Sequence, residues 1–139
     1  MAISLGFTVE NTVVTVNGRQ ITDWGNADTP IQEAQIDQKR TLVRGMGGNA
    51  TVLERKNPGK RVTLSVRAGS PDSAFLQGLF LSGAVCTYTR TQIGTLENAV
   101  GTEGVLTTIG DKARGGTESV SDDSYTFEFN TWDELAGGE

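Results

Sequence analysis

The chain has 139 residues, no histidine, one cysteine and a formal net charge of −5, a length that suits a single domain over 1–139. Lacking histidine, it cannot build a Ser–His–Asp or Cys–His arrangement, and it loses the commonest general base and metal ligand. With Cys86 as its one thiol it has no intrachain disulfide and no cysteine metal cluster, and the apolar setting Ala84-Val85-Cys86 predicts a buried, inert side chain.

Hydrophobic residues make up 36% of the chain beside 18 glycines, so the core should be modest and would gain stability from neighbouring subunits. No run approaches the roughly 18 apolar residues of a membrane span. The opening Met1-Ala2-Ile3-Ser4-Leu5-Gly6-Phe7 lacks the basic and apolar regions of a signal peptide, which makes synthesis in a cytosol the default. Charge is unevenly spread. Residues 1–69 carry nine basic and six acidic side chains (+3), and residues 70–139 carry three basic and eleven acidic (−8). That balance argues against a general nucleic-acid binder and suits a subunit whose two unlike surfaces meet head to tail.

Along the chain, Thr12-Val13-Val14-Thr15-Val16-Asn17-Gly18-Arg19-Gln20-Ile21 comes first, and its Asn-Gly between β-branched runs predicts a hairpin with Val14 and Ile21 on one face. Residues 31–44 are polar, with apolar residues sparse, and a Gly45-Met46-Gly47-Gly48 tip leads into a second arm over 49–56. Together they predict a long, mostly polar hairpin or loop over about 30–57, projecting from the domain. Asn57-Pro58-Gly59-Lys60 marks a turn, after which Val62, Leu64 and Val66 alternate inward. A helix is expected over about 71–82, with Ser70 as cap, Pro71 at the first position, Asp72 at the positive end of the dipole and Gly83 as the stop. Phe75, Leu76, Leu79 and Phe80 form its buried stripe. Further strands are expected over about 84–92, 103–110 and 125–130, the last with Tyr125, Phe127 and Phe129 on one face, while 112–123 is expected as an exposed loop and the end from Leu135 carries no structural signal. The sum is an α+β, mostly β domain: two packed antiparallel sheets, sandwich or barrel, with one flanking helix and the projecting hairpin.

Candidate chemistry is thin. Gly45-x-Gly47-x-x-Ala50 matches a dinucleotide fingerprint only literally, because Thr51-Val52-Leu53 after it is strand-like rather than helical. Glu118, Asp122 and Asp123 lack calcium-loop spacing, and Glu97 with Glu103 has nothing to fix a catalytic separation. The expectation is no catalytic residue, no cofactor and no metal. The notable group is basic. Lys39, Arg40, Arg44, Arg55 and Lys56 crowd onto the projecting hairpin, where they would meet acids of a neighbouring subunit from the 97–134 region.

The order Val13-Val14-Thr15-Val16-Asn17-Gly18-x-x-Ile21, a polar segment with a Gly-rich tip, Asn57-Pro58-Gly59, Val62-Thr63-Leu64-Ser65-Val66, and Ser70-Pro71-Asp72 opening a helix is similar to the tail tube proteins of contractile-tailed bacteriophages, particularly a group of small tube subunits. The resemblance covers roughly residues 9–83. It implies homo-hexameric rings stacked into a tube, with sheath, baseplate and tail terminator proteins as partners. Phage DNA and the tape measure protein would occupy the lumen without sequence-specific binding. The location implied is the virion tail, after assembly in the host cytoplasm. Two other readings stay open: a related component (baseplate hub, tail terminator or secretion-tube protein), and a monomeric anion-binding module using the 39–61 basic hairpin.

Overall fold

The structure is a computed structural model that describes residues 11–93, 95–118 and 120–136; the opening segment Met1–Phe7 lies outside the described residues. The fold is α+β and mostly β, with antiparallel sheets and one helix. In chain order the strands are β1 (Thr12–Val16), β2 (Arg19–Ile21), β3 (Ile31–Gln35), β4 (Arg40–Arg44), β5 (Ala50–Glu54), β6 (Lys60–Val66), β7 (Cys86–Gln92), β8 (Asn98–Ile109) and β9 (Asp123–Leu135), with helix α1 (Pro71–Ser82) between β6 and β7. Seven strands form one sheet in the order β2-β1-β7-β8-β9-β6-β3, and β4 with β5 form a second.

The large sheet curls on itself. The chain leaves β2 at Ile21, on one edge, and at Trp24 already bridges Val66 of β6, beside the other edge. Three residues span only about 10 Å, so the two edges lie close together and the sheet supplies both layers of a barrel-like sandwich. Inside it Val14, Val16, Val62, Leu64, Val66, Tyr88, Tyr125, Phe127 and Phe129 are essentially inaccessible, each on the inward face of an alternating strand. Phe129 lies flat on β8. A Cβ on Gly104 would fall 2.2 Å from its Cδ1, so glycine is required there. The Asn17-Gly18 turn has both residues at positive φ, 50° and 86°, and sets the register Val14↔Ile21.

The helix begins at Ser70, whose Oγ accepts from Ser73 N at 3.2 Å, and ends at Gly83 with φ 67°. Leu76 is fully buried, whereas Phe75, Leu79 and Phe80 are half-buried against the core. The first turn is buried too, for a polar reason that dipole arguments miss. Asp72 accepts from the backbone N–H of Thr22 and Asp23 and from Arg19 Nε, at 2.8–2.9 Å. Ser73 Oγ donates to Asp123, and Tyr125 Oη donates to Ser73 O at 3.1 Å. The helix therefore bolts the exit from β2 to the start of β9.

Several expectations need correction. Residues 31–35 are not part of the projecting hairpin: they pair as β3 with β6 from Ile31↔Leu64 to Gln35↔Lys60, because Ile31 can pack on the core while the polar residues line an edge. The strand expected from 84 starts at Cys86, and Val85 is 68% exposed. The strand expected from 103 starts at Asn98, and the last strand runs to Leu135, since the two pair continuously from Asn98↔Leu135 to Gly104↔Phe129. Alternation had not marked the β8 end, because its buried face is made of the small residues Ala99, Gly101 and Gly104, which carry little apolar signal. Among the described residues no helix is long and apolar enough to cross a membrane.

Candidate functional site

The arm of β4 and β5 stands off the barrel. Its register runs Arg40↔Glu54, Thr41↔Leu53, Leu42↔Val52, Val43↔Thr51, Arg44↔Ala50, and every residue of both strands is exposed. The tip is closed by Gly45 N donating to Asn49 O at 2.7 Å, with Gly48 at φ 88°. The Gly45-x-Gly47-x-x-Ala50 segment is thus a hairpin tip that feeds a strand, and no helix N-terminus follows to hold a pyrophosphate.

All five basic residues singled out in the sequence sit on this arm or at its root. Lys39 and Arg40 lie 3.9 and 3.2 Å from Glu54, and Arg55 lies 3.9 Å from Asp37. Arg44 and Lys56 make no ion pair among the described residues. The pairs are solvent-exposed and worth about 0–1 kcal/mol each, so they leave the cations free to exchange partners. Sequence reasoning missed the apolar residues between them. Leu42, Val52 and Leu53 are 56–60% exposed, Val43 is 48% exposed, and Met46 at the tip is fully exposed. The matching triplets Thr41-Leu42-Val43 and Thr51-Val52-Leu53 were the available signal. Register puts Leu42 and Val52 on one face and Val43 and Leu53 on the other, so the arm is apolar on both sides. A two-stranded hairpin is marginal alone in water, and this one packs nothing of its own against either face.

A second cluster seals the barrel's seam. Arg90 on β7 donates Nε to Glu33 at 2.6 Å, Nη2 to the same carboxylate at 3.0 Å and Nη1 to Glu97 at 2.6 Å, while Tyr88 Oη donates to Glu33 at 2.7 Å. Glu33 belongs to edge strand β3, so the bonds tie that edge of the sheet to β7, third from the other edge, beside a cleft of about 290 Å³ lined also by Thr12, Ile31 and Gln92. Burial and the Glu33 charge push the Tyr88 hydroxyl's pKa far up. Burial works against the Arg90 charge, but Glu33 and Glu97 outweigh it and hold the proton more firmly than usual. Both carboxylates are occupied by this guanidinium, which leaves neither poised as a base. The other carboxyls weighed in the sequence have separate partners: Glu103 accepts from Asn130, Asp122 from Ala27 N, and Asp123 from Ser73 and Arg114. Among the described residues no three His, Cys, Asp or Glu side chains converge as a metal site.

No protein-family model matches the chain, and no curated protein matches its sequence. Solved structures do match in fold. A structure described as the PVC sheath/tube terminator of an extracellular contractile injection system, in the extended state, superposes with TM-score 0.64 at 12% identity, covering 97% of this chain and 100% of that one. The anti-feeding prophage cap, described as the AFP tube terminating cap, gives 0.62 at 12% identity over 99% and 95%. The PVC sheath-tube complex in the extended state gives 0.59 at 13% over 94% and 92%. At such identities the likeness is one of fold, end to end.

Proposed function

We propose that this chain is a ring-forming structural subunit on the axis of a contractile-tail or injection machine, and that it works as a tail tube protein. Six copies would close a ring, rings would stack around a channel that conducts phage DNA, and sheath, baseplate and terminator proteins would be its partners. The observation that carries this reading is the end-to-end fold match to tube, cap and terminator structures, 97% of this chain against 100% of one of them. The arm supports it independently. A hairpin apolar on both faces and fully exposed in the isolated subunit is a liability, which burial between neighbours would remove.

A second reading is a terminator or cap that forms one ring and ends the tube. It is favoured by the larger overlap with the terminator and cap structures, TM-scores 0.64 and 0.62, than with the sheath-tube complex, 0.59. Negative-stain electron microscopy of the purified protein separates the two. Open-ended cylinders support a tube subunit, isolated rings a terminator, and a species that is monomeric at every concentration neither.

A further inference from the structure

The root of the arm has two faces of opposite charge. Both are built around Asn57-Pro58-Gly59. On one side Asp37, Glu103 and Glu128 line a groove of about 270 Å³, and on the other Lys39, Lys56 and Lys60 surround a pocket of about 190 Å³ backed by Trp132. The two adjoin across Asn57-Pro58-Gly59, and the alternation of β6 sends its first two side chains to opposite faces of the strand. Arg61, paired in register with Glu128, points to the outer face, and Lys60, paired with Phe129, points to the opposite one, where its Nζ lies 5.5 Å from the centre of the Trp132 ring. Internal pairing is loose enough to leave Lys39, Lys56, Asp37 and Glu103 available, whereas Lys60, 16% exposed, is held in the sheet. The contacts Asp37–Arg55, Glu128–Arg61, Lys39–Glu54 and Lys60–Glu134 span 3.4–3.9 Å, Glu103 has only an amide from Asn130, and Lys56 has no ion-pair partner among the described residues.

We infer that the occupant of each face is a second copy of this chain, with the lysines of one copy reaching into the acidic groove of the next. This rests on the ring-forming reading above and names the surface that joins copies. Unlike charges on one copy can pair the lysine side of each copy with the acidic groove of the next, and repeated head to tail this is the heterologous geometry that closes rings or extends filaments. Long lysine stems supply the convex element that the acidic groove accepts. The contact is polar and rim-like, so it sets orientation and register, while the apolar arm supplies the buried area.

The test is a charge exchange between two variants that spare Lys60 and Glu128, which are tied into the sheet. One carries Lys39→Glu with Lys56→Glu, the other Asp37→Lys with Glu103→Lys. Each alone has two faces of one sign and is expected to stay monomeric under conditions where the wild-type protein forms rings, with an unchanged circular dichroism spectrum. Mixed in equal amounts, alternating copies restore opposite charges at every contact, and rings return. Should either variant fold poorly, the neutral pair Lys39→Gln/Lys56→Gln decides. Wild-type assembly should weaken between low salt and about 1 M, where the Debye length is only about 3 Å, and assembly of the neutral variant should respond far less. Assembly of a charge-reversed variant by itself, a mixture that fails to form rings, or equal salt dependence overturns the inference while leaving the ring-forming reading intact. A wild-type protein that never assembles overturns both.

Discussion

At the residue scale, the seam clasp is where charge does structural work. Glu33 and Arg90 expose only 11% of their side chains, and removing one member strands the other in a poor solvent. Arg90→Ala should therefore cost about 3–5 kcal/mol, read from denaturant melts; a loss under about 1 kcal/mol would show that the seam holds without it. Asp72 and Asp123 make a separate prediction about acid. Burial works to raise both, but the N–H groups of Asp23 and Thr22 with Arg19 hold Asp72 low, and Ser73 with Arg114 hold Asp123 low. Their stabilisation is then complete above the unfolded value of 3.8 and is lost as pH falls through the lower folded values. Urea midpoints should drop below pH 4, and Asp72→Asn should flatten that drop; an identical pH profile in the variant would remove Asp72 from the account. The sequence marked Asp72 as a dipole residue and gave no hint of the clasp, because both depend on partners some 50 residues away.

The elements divide by how local their causes are. Asn17-Gly18 fixes its hairpin, Ser70-Pro71 and Gly83 bracket the helix, and alternation places Val62, Leu64 and Val66 in the core; each signal lies within a few residues of its effect. Pairing partners are not local, and for that reason β3 passed for part of the arm and the outer ends of β8 and β9 went unseen. Leu76, wholly inaccessible on α1, should lose about 2–5 kcal/mol on Leu76→Ala, and a chain as stable as before would place the helix elsewhere. The arm should behave in the reverse manner. Leu42→Ser with Val52→Ser touches only exposed side chains, so monomer stability should move by about 0.5 kcal/mol or less, while rings or tubes disappear from electron micrographs. Likewise Lys39→Glu, Arg40→Glu and Arg44→Glu together should leave the fold intact and shorten tubes. Normal assembly of either variant would mean that the arm is not an assembly element, and a lost fold would mean that it is part of the subunit's own core.

For the whole molecule, the bipolar charge of the sequence acquires a location. The basic excess of the first half is concentrated on the arm and its root, and acids of the second half, Glu103 and Glu128, line the groove beside it. The barrel buries Tyr88, Tyr125, Phe127 and Phe129, while exposed apolar side chains occur on the arm and also elsewhere, at Leu81, Val85, Leu96 and Leu135. Length, composition and the missing histidine pointed away from catalysis before any fold was known, and the order of turns pointed to a tube-like domain. The surface proposed to join copies needed three dimensions, since Asp37, Glu103 and Glu128 come to line one groove only in the folded sheet. The central claim is that this subunit assembles with itself, head to tail, around an axis. Negative-stain electron microscopy of the concentrated wild-type protein, with light scattering on the same sample, tests it most directly. The account predicts six-membered rings that stack into open-ended cylinders as concentration rises; a single monomeric species from micromolar to millimolar concentration would contradict it.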